Sequence, residues 1–234
     1  MSDPPWLDDL GATLADRGVD AATLPRFAAL LELVRDDPTA PTTVTDPAAG
    51  VAAHIADSLD GLAVPAVRDA RRIADLGAGA GFPGLPLALA LPEAHVDLVE
   101  SLSRKCAFLE RAVEAAGIVN ASVACARAEE WPGRELDVVT VRAVAPLNVL
   151  VEYAAPLLRL GGTLVAWKGR PDATEVADGA AAARIVGLEA GEAMALKARP
   201  GAEHRTLYLY SKVGETPSRF PRRAGMARKR PLSA

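Results

Sequence analysis

The 234-residue sequence predicts an α/β fold: a seven-stranded, mostly parallel sheet with helices on both faces, preceded by an N-terminal helical extension. Three observations predict it. The stretch Ile73–Gly84 (I-A-D-L-G-A-G-A-G-F-P-G) is a short apolar run that stops in three alternating glycines, Gly77, Gly79 and Gly81. It continues into an apolar segment closed by Pro92, so it reads as strand, tight turn and helix. From Arg71 onward short apolar runs alternate with segments of helical periodicity, the pattern of a parallel sheet covered on both sides. The last two runs, about Arg184–Glu189 and Thr206–Ser211, have no helical pattern between them and predict one antiparallel strand.

Residues 1–70 form the predicted helical extension. Trp6, Leu7, Leu10 and Leu14 recur at helical spacing, as do Leu24, Phe27, Leu30, Leu31 and Val34. A breaker-rich loop (Asp36–Pro47) follows, with Asp46 as N-cap and Pro47 at the first helical position of the next segment. There His54, Asp57 and Ser58 share one helical face. Two readings of His54 and Asp57 carry equal weight: a functional pair, or a local pair that orients the helix.

Residues 71–213 form the predicted ligand-binding domain. Its strands are expected at Ile73–Leu76, Val96–Glu100, Ser122–Cys125, Leu136–Val141 and Thr163–Trp167, before the final pair. The helix after the glycine turn spans Pro83–Leu91, with its prolines near the first turn, where a missing N–H costs little. Ser103 is positioned to cap the next helix, and Gly117 stops it. Further helices are expected at about Pro146–Leu158 and Asp172–Ala183.

In doubly wound sheets ligands bind at the carboxyl ends of the strands. That rule nominates Gly77–Phe82, Glu100, Ala128-Glu129-Glu130, Arg142 and Lys168. Glycines in the turn let a ligand approach the backbone, and Glu100 stands at the distance in sequence where an acid bonds ribose hydroxyls. The alternative for Arg142 is a structural salt bridge to Glu129 or Glu130. The run Gly79–Gly84 matches a dinucleotide-binding pattern, which alone is weak. Asp75, two residues before Gly77, would repel a pyrophosphate and suits an ammonium group. Acid-x-G-x-G-x-G resembles the turn of methyltransferases that bind S-adenosylmethionine.

The net charge is −4, but residues 214–234 form a basic tail: Arg219, Arg222, Arg223, Arg228, Lys229 and Arg230, with no acid after Glu215. A basic tail on an acidic body points to a polyanionic partner. The tail is expected to bind RNA phosphates and to leave cofactor affinity untouched; the competing reading folds Phe220 and Pro221 back onto the core. Cys106 and Cys125 lack ligand spacing and are read as two buried thiols in a reducing cytosol. Three scattered histidines make a metal site improbable, no apolar run reaches membrane-spanning length, and the N-terminus has no signal-peptide layout, which together read as cytoplasmic.

Several runs together resemble one family. They are D-L-G-A-G-A-G-F-P-G-L-P-L-A, V-E-S-L-S-R-K-C-A-F-L, A-R-A-E-E, V-R-A-V-A-P-L, W-K-G, H-I-A-D-S-L and the tail A-G-M-A-R-K-R-P-L. The chain resembles the 16S rRNA guanine-N7 methyltransferases, also called the glucose-inhibited division protein B family. It departs from them before the H-I-A-D-S helix, where an asparagine-leucine-threonine run is replaced by P-T-T-V-T-D-P and an arginine by Ala53. The resemblance implies a Rossmann-like class I methyltransferase fold. It implies transfer of a methyl group from S-adenosyl-L-methionine to N7 of guanine 527, in the 530 loop of 16S rRNA of the small ribosomal subunit. By the same resemblance Gly77, Gly79, Phe82, Ala128, Glu129 and Arg142 line the cofactor site, and Glu100 holds the ribose. Asp75 orders the turn or meets the methionine ammonium. Arg142 and Lys168 position the acceptor, with His54 and Asp57 as further candidates; a monomer without metal is expected. Two other readings stay open: an NAD(P)-dependent oxidoreductase, and a non-catalytic ribosome-assembly factor on the same fold.

Overall fold

A computed structural model describes residues 4–142, 144–199 and 204–233. Ala143 of the V-R-A-V-A-P-L run, Ala234 at the end of the tail and part of the connection before the last strand lie outside them. The elements that matter for the site run in chain order. Helices α1 (Trp6–Ala15) and α2 (Leu24–Asp36) come first. A helical segment, 47–63, follows without a label, because it passes through an α-turn, a π-turn, a second α-turn and a 3-10 turn. Then come β1 (Arg72–Leu76), α3 (Gly84–Ala90), β2 (His95–Glu100), α4 (Ser103–Ala115), β3 (Ala121–Cys125) and β4 (Leu136–Arg142). The chain continues through α5 (Leu147–Ala154), β5 (Leu158–Lys168), α6 (Ala173–Ile185), β6 (Leu188–Ala190), β7 (Met194–Ala195), β8 (Thr206–Lys212) and α7 (Met226–Lys229).

The strands lie in the order β3-β2-β1-β4-β5-β8-β6, with the short β7 also on β8. Strands β1 to β5 are parallel, and β8 runs antiparallel beside β5. The chain reverses its direction of travel between β1 and β4, and a crevice opens at that point above the strand ends. Alternate residues of each strand feed two cores. On one face Ile73, Val138, Val165 and Trp167 pack with Leu10, Phe27, Ile55 and Phe108, so the helices before β1 share a continuous core with the sheet. On the other, Leu76, Val139, Val141 and Ala166 pack with α5, α6 and two tail residues, Phe220 and Ala227. Asp46 caps the 47–63 segment through Ala49 N, with Pro47 next to it, as its residue types predict.

Boundaries differ from expectation in three places. The expected helix to Leu158 stops at Ala154, just ahead of Pro156, and Leu158–Leu160 join β5. The expected strand from Arg184 is the end of α6; β6 starts only after Gly187, whose φ of +81° turns the chain. Ser103 is the first helical residue of α4 and makes no capping bond. Among the described residues no helix is long and apolar enough to cross a membrane, and no group of three or more His, Cys, Asp or Glu side chains could hold a metal ion.

Asp75 carries a testable consequence of the fold. It is buried on the sheet face under the glycine turn, and its carboxyl accepts from Gly84 N at 2.9 Å and Thr140 Oγ1 at 3.1 Å. Burial pushes its pKa up from 3.8 to about 6, against the opposing pull of those two bonds. Folded Asp75 therefore keeps a proton that the unfolded chain has released, and stability declines as pH rises between about 4 and about 6. Asp75→Asn keeps an acceptor for Gly84 and removes the titration. Urea melts from pH 4 to 7 are expected to lack that slope in the variant, which gains roughly 2–3 kcal/mol at pH 7. A variant less stable than wild type at pH 7 would show that the ionised carboxylate is what the turn needs.

Candidate active site

The three glycines of the turn do different work. Each has positive φ: +70° at Gly77, +58° at Gly79 and +90° at Gly81. A Cβ on Gly77 would strike Val144 at 2.7 Å, and one on Gly81 would strike Leu85 at 2.1 Å. These two are glycine because the turn is packed. A Cβ on Gly79 would meet only the carbonyl of Gly77, at 3.7 Å, and would project into open space. The surroundings of Gly79 form a cavity of about 450 Å³ shared by His54, Phe82, Glu100, Lys105 and Arg142. That is a cradle a side chain would fill, and it fits a ligand laid across the backbone.

Glu100, at the end of β2, is held facing this space. Its Oε1 accepts from Ser101 N at 2.7 Å and Leu102 N at 2.9 Å, and its Oε2 from Gly79 N at 3.2 Å. Asp75 is different. Its carboxyl lies under the loop, bonded to Gly84 and Thr140, and lines neither cavity at the strand ends. Of its two expected roles the geometry leaves it ordering the turn and withdraws it from contact with a ligand ammonium.

Arg142 ends β4 on the opposite side of the mouth. Its Nη1 donates to Asp57 Oδ2 at 2.8 Å and to Ala53 O at 3.2 Å, and its guanidinium carbon lies 5.6 Å from the centre of the Phe82 ring. The acid it pairs with is thus Asp57, in place of Glu129 or Glu130. Asp57 has no exposed surface, and its second oxygen accepts from Arg205 Nε at 2.8 Å. One carboxylate between two guanidiniums leaves a net positive charge at the mouth. The main chain of the same residue accepts from the buried indole of Trp167 at 2.8 Å, which fixes the 47–63 segment against β5.

His54 and Asp57 do not bond each other. His54 stacks on Phe82, with ring centres 4.4 Å apart and planes within 4°. Its Nε2 lies 2.9 Å from Val44 O, so Nε2 carries the proton and donates; Nδ1 has no partner among the described residues. Burial lowers its pKa, and the nearby Arg142 charge adds to this, so the ring is neutral. Lys168 is corrected more sharply: its ammonium pairs with Glu175 at 2.6 Å and donates to Ala145 O at 3.2 Å, which ties β5 to α6. In this structure its charge is taken up by that internal ion pair.

A second cavity, about 280 Å³, adjoins the first along Gly77 and is walled by Ala128, Glu129, Val144, Tyr153 and two tail residues, Gly225 and Arg228. The tail therefore folds back, as the competing reading had it. Phe220 and Ala227 are buried, and Arg222 grips the buried Glu152 with its backbone N–H, Nε and Nη2 at 2.5–3.1 Å. Arg222 is thus removed from the set of bases free to meet RNA, whereas Arg219, Arg223, Arg228, Lys229 and Arg230 are exposed. The cysteines also differ from expectation. Cys106 and Cys125 are joined in a disulfide, and Cys125 is exposed. Strand pairing sets Cys125 opposite Glu100 at the edge where α4 begins, which brings the two Cα atoms to 5.8 Å. A larger cavity, about 770 Å³, is lined by Arg17, Asp60 and Arg199 and touches no residue of the glycine turn. Size alone does not mark the site.

Sequence reasoning missed Arg205, Tyr153 and Gly225. Arg205 precedes β8, and β8 is antiparallel to β5, with Thr206 opposite Lys168. Its start therefore lies on the same edge as the ends of the parallel strands. Extending the strand-end rule to the beginning of an antiparallel strand would have found it. Tyr153 is on α5 and Gly225 in the tail, where no strand rule reaches.

Comparison with known proteins bears on this geometry. Residues 25–205 match the family described as rRNA small subunit methyltransferase G. Proteins named ribosomal RNA small subunit methyltransferase G are similar over most of the chain. The one from Desulfitobacterium hafniense (strain Y51) is 40% identical, over 82% of this chain and 81% of that one. The one from Symbiobacterium thermophilum is 38% identical, over 97% and 95%. In fold the chain is similar to mitomycin 7-O-methyltransferase MmcR (TM-score 0.58, 16% identity, 90% of this chain and 69% of that one). It is likewise similar to a SAM-dependent O-methyltransferase from Thermotoga maritima (TM-score 0.53, 16% identity, 69% and 66%). The sheet is therefore of the Rossmann-like class I methyltransferase type, and the chain belongs to the rRNA small subunit methyltransferase G family, whose members are S-adenosylmethionine-dependent methyltransferases.

Proposed function

We propose that this protein transfers a methyl group to N7 of guanine 527 of 16S rRNA, acting in the cytoplasm as a monomer on the small ribosomal subunit. The observation that carries the reading is the open Gly79 cradle between an anchored acid, Glu100, and an anchored cation, Arg142. Family membership displaces the oxidoreductase and the non-catalytic reading.

S-Adenosylmethionine, when bound, supplies an electrophilic methyl group on a sulfonium. The turn Gly77–Gly79 would receive its backbone-hugging portion, and Glu100 would accept from ribose hydroxyls. Ala128 and Tyr153 wall the adjoining cavity. N7 of guanine presents an in-plane lone pair, so no residue has to remove a proton first. The chain's task is alignment and electrostatics. Arg142, its plane fixed by Asp57 and Phe82, would donate to guanine O6 or to a neighbouring phosphate and leave N7 free. His54 is neutral and donates its one N–H, at Nε2, to Val44 O, so it would serve the wall, through Phe82, and move no proton.

Two outcomes test the reading. Gly79→Val is expected to lose S-adenosylmethionine binding in calorimetry while still folding, with its melting point lowered only by the strain of a branched residue at φ +58°. Gly81→Val is expected to melt far earlier, because its Cβ meets Leu85. Equal melting losses in both, with cofactor affinity retained by folded Gly79→Val, would remove the cofactor from this turn. Arg142→Ala is expected to lower single-turnover methylation of unmodified small subunits by about a hundredfold or more. Its folded state keeps the Asp57–Arg205 pair, whereas Asp57→Ala strands two half-buried guanidiniums and is expected to destabilise the fold more than Arg142→Ala does. An Arg142→Ala protein that is fully active once folded would make Arg142 a structural ion only.

A further inference from the structure

The tail is anchored on one face of α5. Asn148 donates to Leu232 O at 2.7 Å, and Glu152, one helical turn on, holds Arg222. Between these anchors the chain crosses the mouth of the 280 Å³ cavity. Gly225 N donates to Glu129 Oε1 at 2.8 Å, with φ of +80°, and Arg228 Nη2 donates to Val144 O at 2.8 Å. Val144 is the side chain that packs on Gly77. Arg228 borders both cavities, and so stands where the cofactor space meets the substrate mouth. Arg223, Lys229 and Arg230, immediately beside these contacts, point no charge into the core and are exposed.

We propose that the segment Gly225–Arg228 is the closing wall of the cofactor pocket, and that the exposed bases flanking it couple closure to rRNA. Phosphates held by Arg223, Lys229 and Arg230 keep the wall seated on Glu129 and Val144, which slows cofactor escape. By linkage the bound cofactor then tightens rRNA binding by the same factor. This reverses the expectation that the tail leaves cofactor affinity untouched. It rests on the reading of the two cavities as the cofactor site.

The test uses full-length protein and S-adenosylhomocysteine, so that no turnover intervenes. Calorimetry and dissociation kinetics compare wild type, Arg228→Ala and Glu129→Ala, with hydrogen exchange followed over 223–230. Each variant is expected to bind about tenfold more weakly, mostly through faster release, because one charge-assisted bond at the wall is gone. Exchange of the wild-type segment is expected to slow on adding S-adenosylhomocysteine, and to slow again with unmodified small subunits, which also raise cofactor affinity several-fold. Arg228→Lys, which retains a donor, is expected to recover part of the loss. Variant affinities within twofold of wild type, or exchange over 223–230 indifferent to the cofactor, would overturn the wall. A wild-type protein that binds no S-adenosylhomocysteine would instead overturn the cofactor-site reading, and the wall with it.

Discussion

Asp57 is an acid with no exposed surface, and an ionised carboxylate in that position costs several kcal/mol in lost hydration unless every lone pair finds a partner. Here each oxygen has its own guanidinium at 2.8 Å, one from the end of β4 and one from the start of β8. The same residue's carbonyl takes the indole proton of Trp167 on β5. Three stretches far apart in sequence are thereby fixed to one group. A shift of the 47–63 segment by a single helical position would break all of these contacts together. The N-terminal helices are seated on the sheet by this arrangement as well as by the apolar core they share with it. What remains after the charges are paired is one excess positive charge, held still at the mouth of the site. A guanidinium free to swing would have to surrender that freedom each time it met a substrate; this one has already done so.

The turn after β1 shows the same economy of position. Three glycines look equivalent in the sequence and all three hold positive φ, yet protein atoms crowd two of them while the third faces open space. The acid beside them is likewise not what its charge suggests. Asp75 is buried beneath the loop and bonded to Gly84, whose own Cβ would fall within 3 Å of it. Its neutral form suits that place, so the acid shapes the path of the backbone, and the recognition of a ligand passes to Glu100 and to the space around Gly79.

Much of the fold was legible because apolar runs in a doubly wound sheet stop where the strand ends, and glycine or proline marks the stop. Strands β1 to β4 fall within a residue or so of their expected limits. Leu157–Leu160 was not legible, since L-L-R-L continues a helical pattern; pairing with β4, across a register shift at Leu136–Val138, decides it for strand. At the candidate site, the strand-end rule placed Glu100 and Arg142 at one cavity because parallel strands end at a predictable edge. It missed Arg205, whose strand runs the other way, and it gave Lys168 a freedom that Glu175 removes. Helix α6, which carries Glu175, was expected, but periodicity cannot say which strand end an acid on it will reach.

The docking of the tail was offered by the sequence only as a competing reading, for a reason that concerns composition itself. Six bases without an acid in nineteen residues describe a polyanion-binding segment, and too few apolar residues remain to form a core alone. They need not form one alone. Phe220, Ala227 and Leu232 each add to a core that α5 and the sheet have already built, and the acid that the tail lacks is supplied by Glu152 on that helix. Composition counted within a segment cannot see a partner outside it. The bases are thereby divided: Arg222 is held by Glu152, Arg228 donates to Val144 O, and Arg219, Arg223, Lys229 and Arg230 are exposed. Counterion release scales with phosphates actually neutralised, about 0.7–0.9 of a log unit per contact, so under the proposed function the tail's share of the salt dependence would be set by those four cations rather than by six. Under the proposed function, a segment docked in this way would reach RNA from a fixed place beside the two cavities, and its affinity for phosphate and its hold on the pocket would be properties of one structure.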